Sequence, residues 1–194
     1  MLDRWTPEAP QIRYPRAVPL PTLLTPRLRL RHLARGDAGY VVDQLSDPTF
    51  VEFVGDRGVR SEADAIAYME RGPWATYAAH GFGAWAVERR DTPGVIGMVG
   101  LYQRATLDAP DLGFGFLPAG RGRGLALEAA KAALDWGVEA HGMRRVLAIT
   151  TDAHRRSQRL LKKLGMRLEG RARIPGDDEE LRLYAYTAEP STSA

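Results

Sequence analysis

The stretch Gly120-Arg121-Gly122-Arg123-Gly124-Leu125-Ala126 decides how this chain is read. It follows an apolar run, Asp111 to Leu117, and precedes a segment in which Leu127, Ala130, Leu134 and Val138 recur at helical spacing. Glycines let the backbone turn tightly. The amides of a helix's first turn have no helical partner, and they converge on one spot with the positive end of the dipole behind them. The segment therefore predicts an anion site suited to phosphate. Two better-known phosphate loops do not fit. The dinucleotide fingerprint needs glycine where Leu125 stands, and in a P-loop frame begun at Gly115, Arg121 and Gly122 replace the required lysine and hydroxyl residue. A glycine turn without a ligand is equally compatible with this spacing.

On the N-terminal side of the loop, the alternation in Leu28 to His32 predicts a half-buried strand. Asp37 is placed to cap a short helix that stops before Asp47-Pro48, and a small helical piece covers Phe50 to Val54. Ser61 and Asp64 form a capping box for a helix carrying Ile66 and Met69, which Gly72-Pro73 ends or kinks. Strands follow at Phe82 to Glu88 and Val95 to Tyr102, joined by the hairpin loop Arg90-Asp91-Thr92-Pro93-Gly94. Trp74, Tyr77, Phe82 and Trp85 cluster around a turn and a strand entrance. Gly113 and Gly115 inside the next strand suggest a bulge or the close approach of another backbone. After the loop, the helix stops at Gly142, a buried strand runs from Arg145 to Thr151, and a basic helix from Arg155 to Leu164 is closed by Gly165. Two last strands, Met166 to Arg173 and Leu181 to Thr187, flank Pro175-Gly176-Asp177-Asp178. This order predicts one mixed α/β domain over residues 25–187. A proline-rich extended arm, residues 1–24, precedes it, and residues 188–194 form a tail. Trp5, Ile12 and Tyr14 of the arm need an apolar surface, on the domain or on a second subunit.

Composition narrows the chemistry. The 194 residues include no cysteine, which excludes disulfides, thiolate metal sites, iron–sulfur clusters and a cysteine nucleophile and suits a reducing, cytoplasmic setting. No apolar run approaches the roughly 20 residues of a membrane span. Arginines outnumber lysines 24 to 3, with a net charge of +3, which is compatible with nucleic acid, a membrane surface or an anionic small molecule. The four histidines, His32, His80, His141 and His154, show no metal-binding spacing.

A second segment, His154-Arg155-Arg156-Ser157-Gln158-Arg159-Leu160-Leu161-Lys162-Lys163-Leu164-Gly165-Met166, completes the pattern. Together the two segments resemble the Gcn5-related N-acetyltransferases, and among them the type that acetylates ribosomal-protein N-termini. The family's loop reads Gln/Arg-x-x-Gly-x-Gly/Ala, matched by Arg121-x-x-Gly124-x-Ala126 and continued by Glu128-Ala129. Its later motif, Asn-x-x-Ser with a helix ending Lys-Leu-Gly-Phe, is matched by Ser157 and Lys163-Leu164-Gly165-Met166, with His154 in place of asparagine. Thr25-Pro26-Arg27-Leu28-x-Leu30-Arg31 and Leu45-Ser46-Asp47-Pro48 also look like this subgroup.

The resemblance implies a mixed, mostly antiparallel sheet splayed at a cofactor cleft between strands 111–117 and 145–151. Coenzyme A would meet the loop amides of Arg121, Gly122, Arg123, Gly124, Leu125 and Ala126 with its pyrophosphate, and the strand edge at Phe116 and Leu117 with its pantetheine. Arg155, Arg156 and Arg159 join Arg121 and Arg123 as candidates to surround the phosphates. His154 would stand at a pantetheine contact. Ser157 would donate to the leaving sulfur, with Tyr184 or Tyr102 as substitutes, and Asp111, where the subgroup has glutamate, would be the base. Trp74 or Tyr77 would touch the acceptor. The implied reaction moves acetyl from acetyl-CoA directly to a primary amine, without a metal, in a monomer or homodimer. The acceptor stays open between a protein N-terminus, an amino acid, a polyamine and an aminoglycoside. Two other readings compete: a catalytically silent acyl-CoA sensor, and a basic nucleic-acid-binding protein. The latter is disfavoured because the arginines are not interleaved with exposed aromatics.

Overall fold

The computed structural model describes residues 20–174 and 180–189, so Trp5, Ile12, Tyr14 and the 175–178 turn lie outside it. A two-residue strand, β1 (Leu23–Leu24), leads into β2 (Leu28–His32), whose alternation buries Leu28 and Leu30 completely. Asp37 stands at the start of α1 (Ala38–Ser46), but its carboxylate does not cap that helix. It accepts from the Ala34 amide and from both terminal nitrogens of Arg31 instead. Asp47 is the true cap: its carboxylate accepts from the amides of Thr49 and Phe50 at the head of α2 (Pro48–Val54), which begins earlier than the Phe50 start expected. The Ser61–Asp64 capping box forms as expected at α3 (Glu62–Arg71).

Gly72-Pro73 does more than end α3. Proline occupies the first position of a further helix, α4 (Pro73–His80), so Trp74 and Tyr77 lie on a helix rather than at a turn. Then come β3 (Ala84–Arg89), β4 (Val95–Tyr102), β5 (Asp111–Phe116), α5 (Leu125–His141), β6 (Arg145–Thr150), α6 (Arg155–Lys163), β7 (Arg167–Ala172) and β8 (Leu181–Thr187). Gly142 and Gly165 end α5 and α6 with φ of 63° and 82°, the left-handed stops expected of them.

The eight strands form one sheet in the order β1-β2-β3-β4-β5-β6-β8-β7. Every neighbouring pair is antiparallel except β5 and β6. One face packs on α5 and α6. There Trp85, Val99, Leu101 and Leu112 meet Ala129, Ala130, Ala133 and Leu161, and Trp85 meets Trp136 edge to face at 5.1 Å. The other face carries α1, α3 and α4, with Val41, Leu45, Ala65 and Met69 against Ala84, Ala86 and Met98. Each large apolar side chain so buried contributes about 1.5–3 kcal/mol. Among the described residues, no helix is long and apolar enough to cross a membrane.

Candidate active site

β5 and β6 share a single pairing, Asp111 with Leu147, reinforced by the Leu147 amide donating to Pro110 O at 2.8 Å. Beyond it the strands part. The Leu117 amide donates to Ile96 O at 3.0 Å, and this fixes the alternation of the β4–β5 ladder. Asp111, Gly113 and Gly115 bond to β4, whereas the backbone groups of Leu112, Phe114 and Phe116 point toward β6. The edge facing the opening is thus offered by Phe114 and Phe116. Leu117, expected to share in it, has its amide committed to β4.

At the C-terminal end of β5 the loop turns through three successive positive φ angles: 81° at Gly122, 36° at Arg123 and 74° at Gly124. Glycine adopts such angles freely, but for Arg123 the conformation stores strain and needs an external brace. Arg27 supplies it, donating to Arg123 O at 2.7 Å and to Glu128 Oε2 at 2.6 Å, while Thr25 and the Arg27 amide bond the other Glu128 oxygen. Burial would raise the Glu128 carboxyl, but these hydrogen bonds hold it below its ordinary value. Glu128 N–H makes the first helical bond, to Gly124 O. The amides of Leu125, Ala126 and Leu127 are left at the open mouth of α5.

Arg121, expected beside phosphates, has its guanidinium engaged elsewhere. It donates to Phe116 O at 2.7 Å, to Thr49 Oγ1 at 3.1 Å and to Asp47 Oδ1. Burial would raise the Asp47 carboxyl, but the Arg121 hydrogen bond and the helix amides pull it down. At its other end α2 presents Phe53, which stacks on His154 at 4.1 Å with the rings 2° from parallel. Burial, with help from Arg156 and Arg121, lowers the pKa of His154, so the imidazole is held neutral. α2 therefore bridges the loop and the head of α6.

Ser157 is 7% exposed and its hydroxyl makes no hydrogen bond among the described residues. Gln158, not Ser157, ties the head of α6, through the carbonyls of Thr151 and Asp152. Arg155, Arg156 and Arg159 are exposed and form no ion pair among the described residues. Tyr184 is buried in the core, opposite Ala148.

The expected bulge at the β5 glycines is absent: the β4–β5 register runs unbroken from Gly97–Phe116 to Tyr102–Asp111. Side chains, not a backbone, approach these glycines. A Cβ on Gly113 would stand 3.0 Å from the Tyr102 ring, and one on Gly115 would stand 3.2 Å from Gln44 Nε2 and 3.6 Å from Phe50. Alternation along β5 aims Gly113 and Gly115 at α1–α4, forming a trough on that face. Asp111 opens the trough but is not open to it. Only 1% exposed, it accepts from Arg104 Nε on both oxygens at 3.0 Å. Burial pushes its carboxyl up against the opposing pull of Arg104.

Half-buried Tyr40, Tyr68 and Tyr102 complete this wall, and Tyr40 donates to Gln44 Oε1 at 3.2 Å. Burial raises all three phenols, so they are neutral donors. Of these wall residues, sequence reasoning raised only Tyr102, and then as a proton donor. Their signal was faint: Tyr102 ends one strand of a hairpin that returns at Asp111, and such a register folds Arg104 back onto Asp111. Among the described residues, no cluster of three His, Asp or Glu is placed to hold a metal ion.

A family model described as an acetyltransferase (GNAT) domain matches residues 27–167. The chain is 29% identical over 151 residues to the uncharacterized N-acetyltransferase YoaA of Bacillus subtilis strain 168, covering 77% of this chain and 85% of that protein. An acetyltransferase structure from Agrobacterium tumefaciens C58 superposes with a TM-score of 0.74 at 26% identity, over 91% of this chain and 99% of the other. Mycobacterium smegmatis RimJ, solved in complex with CoA-disulfide, shares the fold with a TM-score of 0.68 at 21% identity, over 83% and 82% of the two chains. The parted strands, the loop and these matches agree, and the chain belongs to the GNAT acetyltransferases as an N-acetyltransferase with RimJ-type enzymes among its structural neighbours.

Proposed function

We propose that this enzyme transfers acetyl from acetyl-CoA directly to a primary amine. The observation that carries the reading is the opening between β5 and β6, with free helix amides at one end and the inward-pointing amides of Phe116 and Phe114 along its edge. The first-turn amides of α5 receive the pyrophosphate. The Phe116 edge takes the pantetheine, and the Phe114 amide donates to the oxygen on which charge develops as the amine attacks.

In that attack a C–N bond forms and the C–S bond breaks. With no cysteine in the chain, no thiol carries the acetyl group in between. The leaving thiolate is the conjugate base of a thiol with a pKa of about 8.5, so a weak donor is enough. Ser157 on α6, 7% exposed and with no hydrogen bond to its hydroxyl among the described residues, supports that role. An α-amino group with a pKa near 8 is roughly one-tenth neutral at pH 7. Water in the trough can carry away its proton. Asp111 then serves by holding Arg104 rather than by taking the proton itself.

Thiol release from acetyl-CoA across a panel of amines tests the reading. Turnover is expected with at least one amine, and intact mass after acetyl-CoA alone is expected to stay unchanged. Ser157→Ala should lower kcat roughly a hundredfold or more. Tight acetyl-CoA binding without turnover of any amine would replace this reading by that of an acyl-CoA sensor, which His154 in the asparagine position leaves open.

A further inference from the structure

The wall facing Gly113 is unlike a site for a cationic acceptor. Arg104 uses only its Nε on Asp111, and its two terminal nitrogens donate no hydrogen bond among the described residues. The side chain keeps 29% of its surface exposed, so that outer fork is reachable, while its inner side is anchored on a buried carboxylate. A guanidinium so held has lost its freedom to rotate and presents two parallel donors, the geometry that matches a carboxylate.

A second arginine, Arg57 in the loop after α2, has no carboxylate partner among the described residues and donates only to Val54 O, at 3.0 Å. Both arginines act on the same phenol: burial raises Tyr68, and the charges of Arg57 and Arg104 pull it back. Three carboxylates on this side are already paired, Asp111 with Arg104, Asp37 with Arg31 and Asp56 with Arg60. The trough is lined by neutral phenols and by the outer guanidinium nitrogens of Arg104, with Arg57 nearby, so a polyamine or an aminoglycoside would meet like charge there, which costs affinity.

We infer that the acceptor is a primary amine that carries its own carboxylate, with the carboxylate on the outer fork of Arg104 beside Arg57 and the amine directed along the trough to Phe114. This rests on the acetyl-transfer reading above and specifies the substrate class of that same site. Asp111, which anchors Arg104, and Phe114 are three residues apart, roughly 10 Å along a strand, so the acceptor is short: a free amino acid or an N-terminal acidic residue. The two sources share one chemistry, and they are separable by experiment.

The experiment is steady-state acetylation of matched pairs: methionine against methioninamide, glutamate against its diamide, and short amidated peptides beginning with Asp against those beginning with Asn, with spermidine as the cationic reference. The carboxylate-bearing member of a pair is expected to have a kcat/KM at least tenfold higher, mainly through KM. Preference within the free amino acids points to the α-carboxylate, and preference within the peptides to the side chain. Arg104→Gln should bring the ratio to about one while calorimetric acetyl-CoA affinity stays within threefold. Arg104→Lys should restore part of the ratio. Because Arg104→Gln leaves Asp111 buried without its partner, Arg57→Gln serves as a second variant that leaves that pair alone, and it should lower the ratio two- to fivefold. Equal or better turnover of the amides or of spermidine, or a ratio that survives Arg104→Gln in folded protein, overturns the inference and leaves acetyl transfer standing. No turnover of any amine despite acetyl-CoA binding overturns both.

Discussion

The loop at residues 121–126 and the trough over Gly113 both depend on glycine, but for opposite reasons. In the loop, Gly122 and Gly124 supply backbone angles of 81° and 74°, and the proposed cofactor site is made of main-chain amides. In the trough, Gly113 and Gly115 supply missing volume, which Tyr102 and Gln44 enter, and the proposed acceptor site is made of side chains. A ligand common to many enzymes is well served by backbone, since almost any sequence can provide it. An acceptor particular to one enzyme needs side chains, and these are where chains of one fold differ.

The comparison is broken most severely by a change of backbone. Gly124→Pro cannot adopt the left-handed angle, and strain of about 1–3 kcal/mol together with the displaced amides should weaken acetyl-CoA binding roughly a hundredfold or more. Unchanged affinity by calorimetry would remove the loop from the cofactor site. Gly113→Val tests the other side. Its branched side chain meets the Tyr102 ring, and a misplaced acceptor costs on the order of a hundredfold in kcat/KM, while acetyl-CoA affinity should change less than threefold. Equal loss of both would show that the two sides are not separable.

Arg121→Ala sharpens the contrast, because this residue of the loop motif acts through its side chain on α2. Losing its charge-assisted hydrogen bonds should cost about 2 kcal/mol, or roughly 4–8 °C in Tm for a domain of this size. The acceptor KM should rise more than the acetyl-CoA Kd. Arg121→Lys should not rescue it, since an ammonium lacks the fork that reaches Phe116, Thr49 and Asp47 together. An unchanged Tm would mean that the brace is ornamental.

The smallest effect is one of pH. Burial lowers the pKa of His80, His141 and His154, so each charges more readily in the unfolded chain than in the fold. The unfolded state therefore binds more protons as pH falls through about 6.5, and stability should decline from pH 7.5 to 5.5. His154→Gln should shallow that decline in urea titrations at the two pH values. A steeper decline in the variant would contradict a neutral, stacked His154.

Much of the fold was legible because periodicity and punctuation agreed. The strands at Leu28, Val95, Asp111 and Leu181 begin where alternation and turns put them, and Ser61, Gly142 and Gly165 cap as their chemistry demands. α4 escaped because it is eight residues long and starts directly at Pro73, so Gly72-Pro73 read as an end without a new beginning. The loop of the site was legible for the same reason that it is general: its signal is glycine spacing. The trough was not. Gly113 and Gly115 announce that something comes close, but only the register shows that Tyr102 and Gln44 fill the space. Likewise, a lone Asp111 looks like a base until the hairpin folds Arg104 onto it.

The single pairing between β5 and β6 has a mechanical meaning beyond the opening it creates. It divides the eight strands into a five-stranded half and a three-stranded half, sewn together by one stitch and by the helices that cross above it. Native-state hydrogen exchange on such a sheet is expected to resolve two cooperative units, with the weakest protection along the seam. A molecule laid between the parted strands adds stitches that the polypeptide omits. Its binding energy is then also cohesion between the halves, gained by mass action as RT ln(1 + [L]/Kd). On the proposed reading, the protein is held together in part by its own substrate.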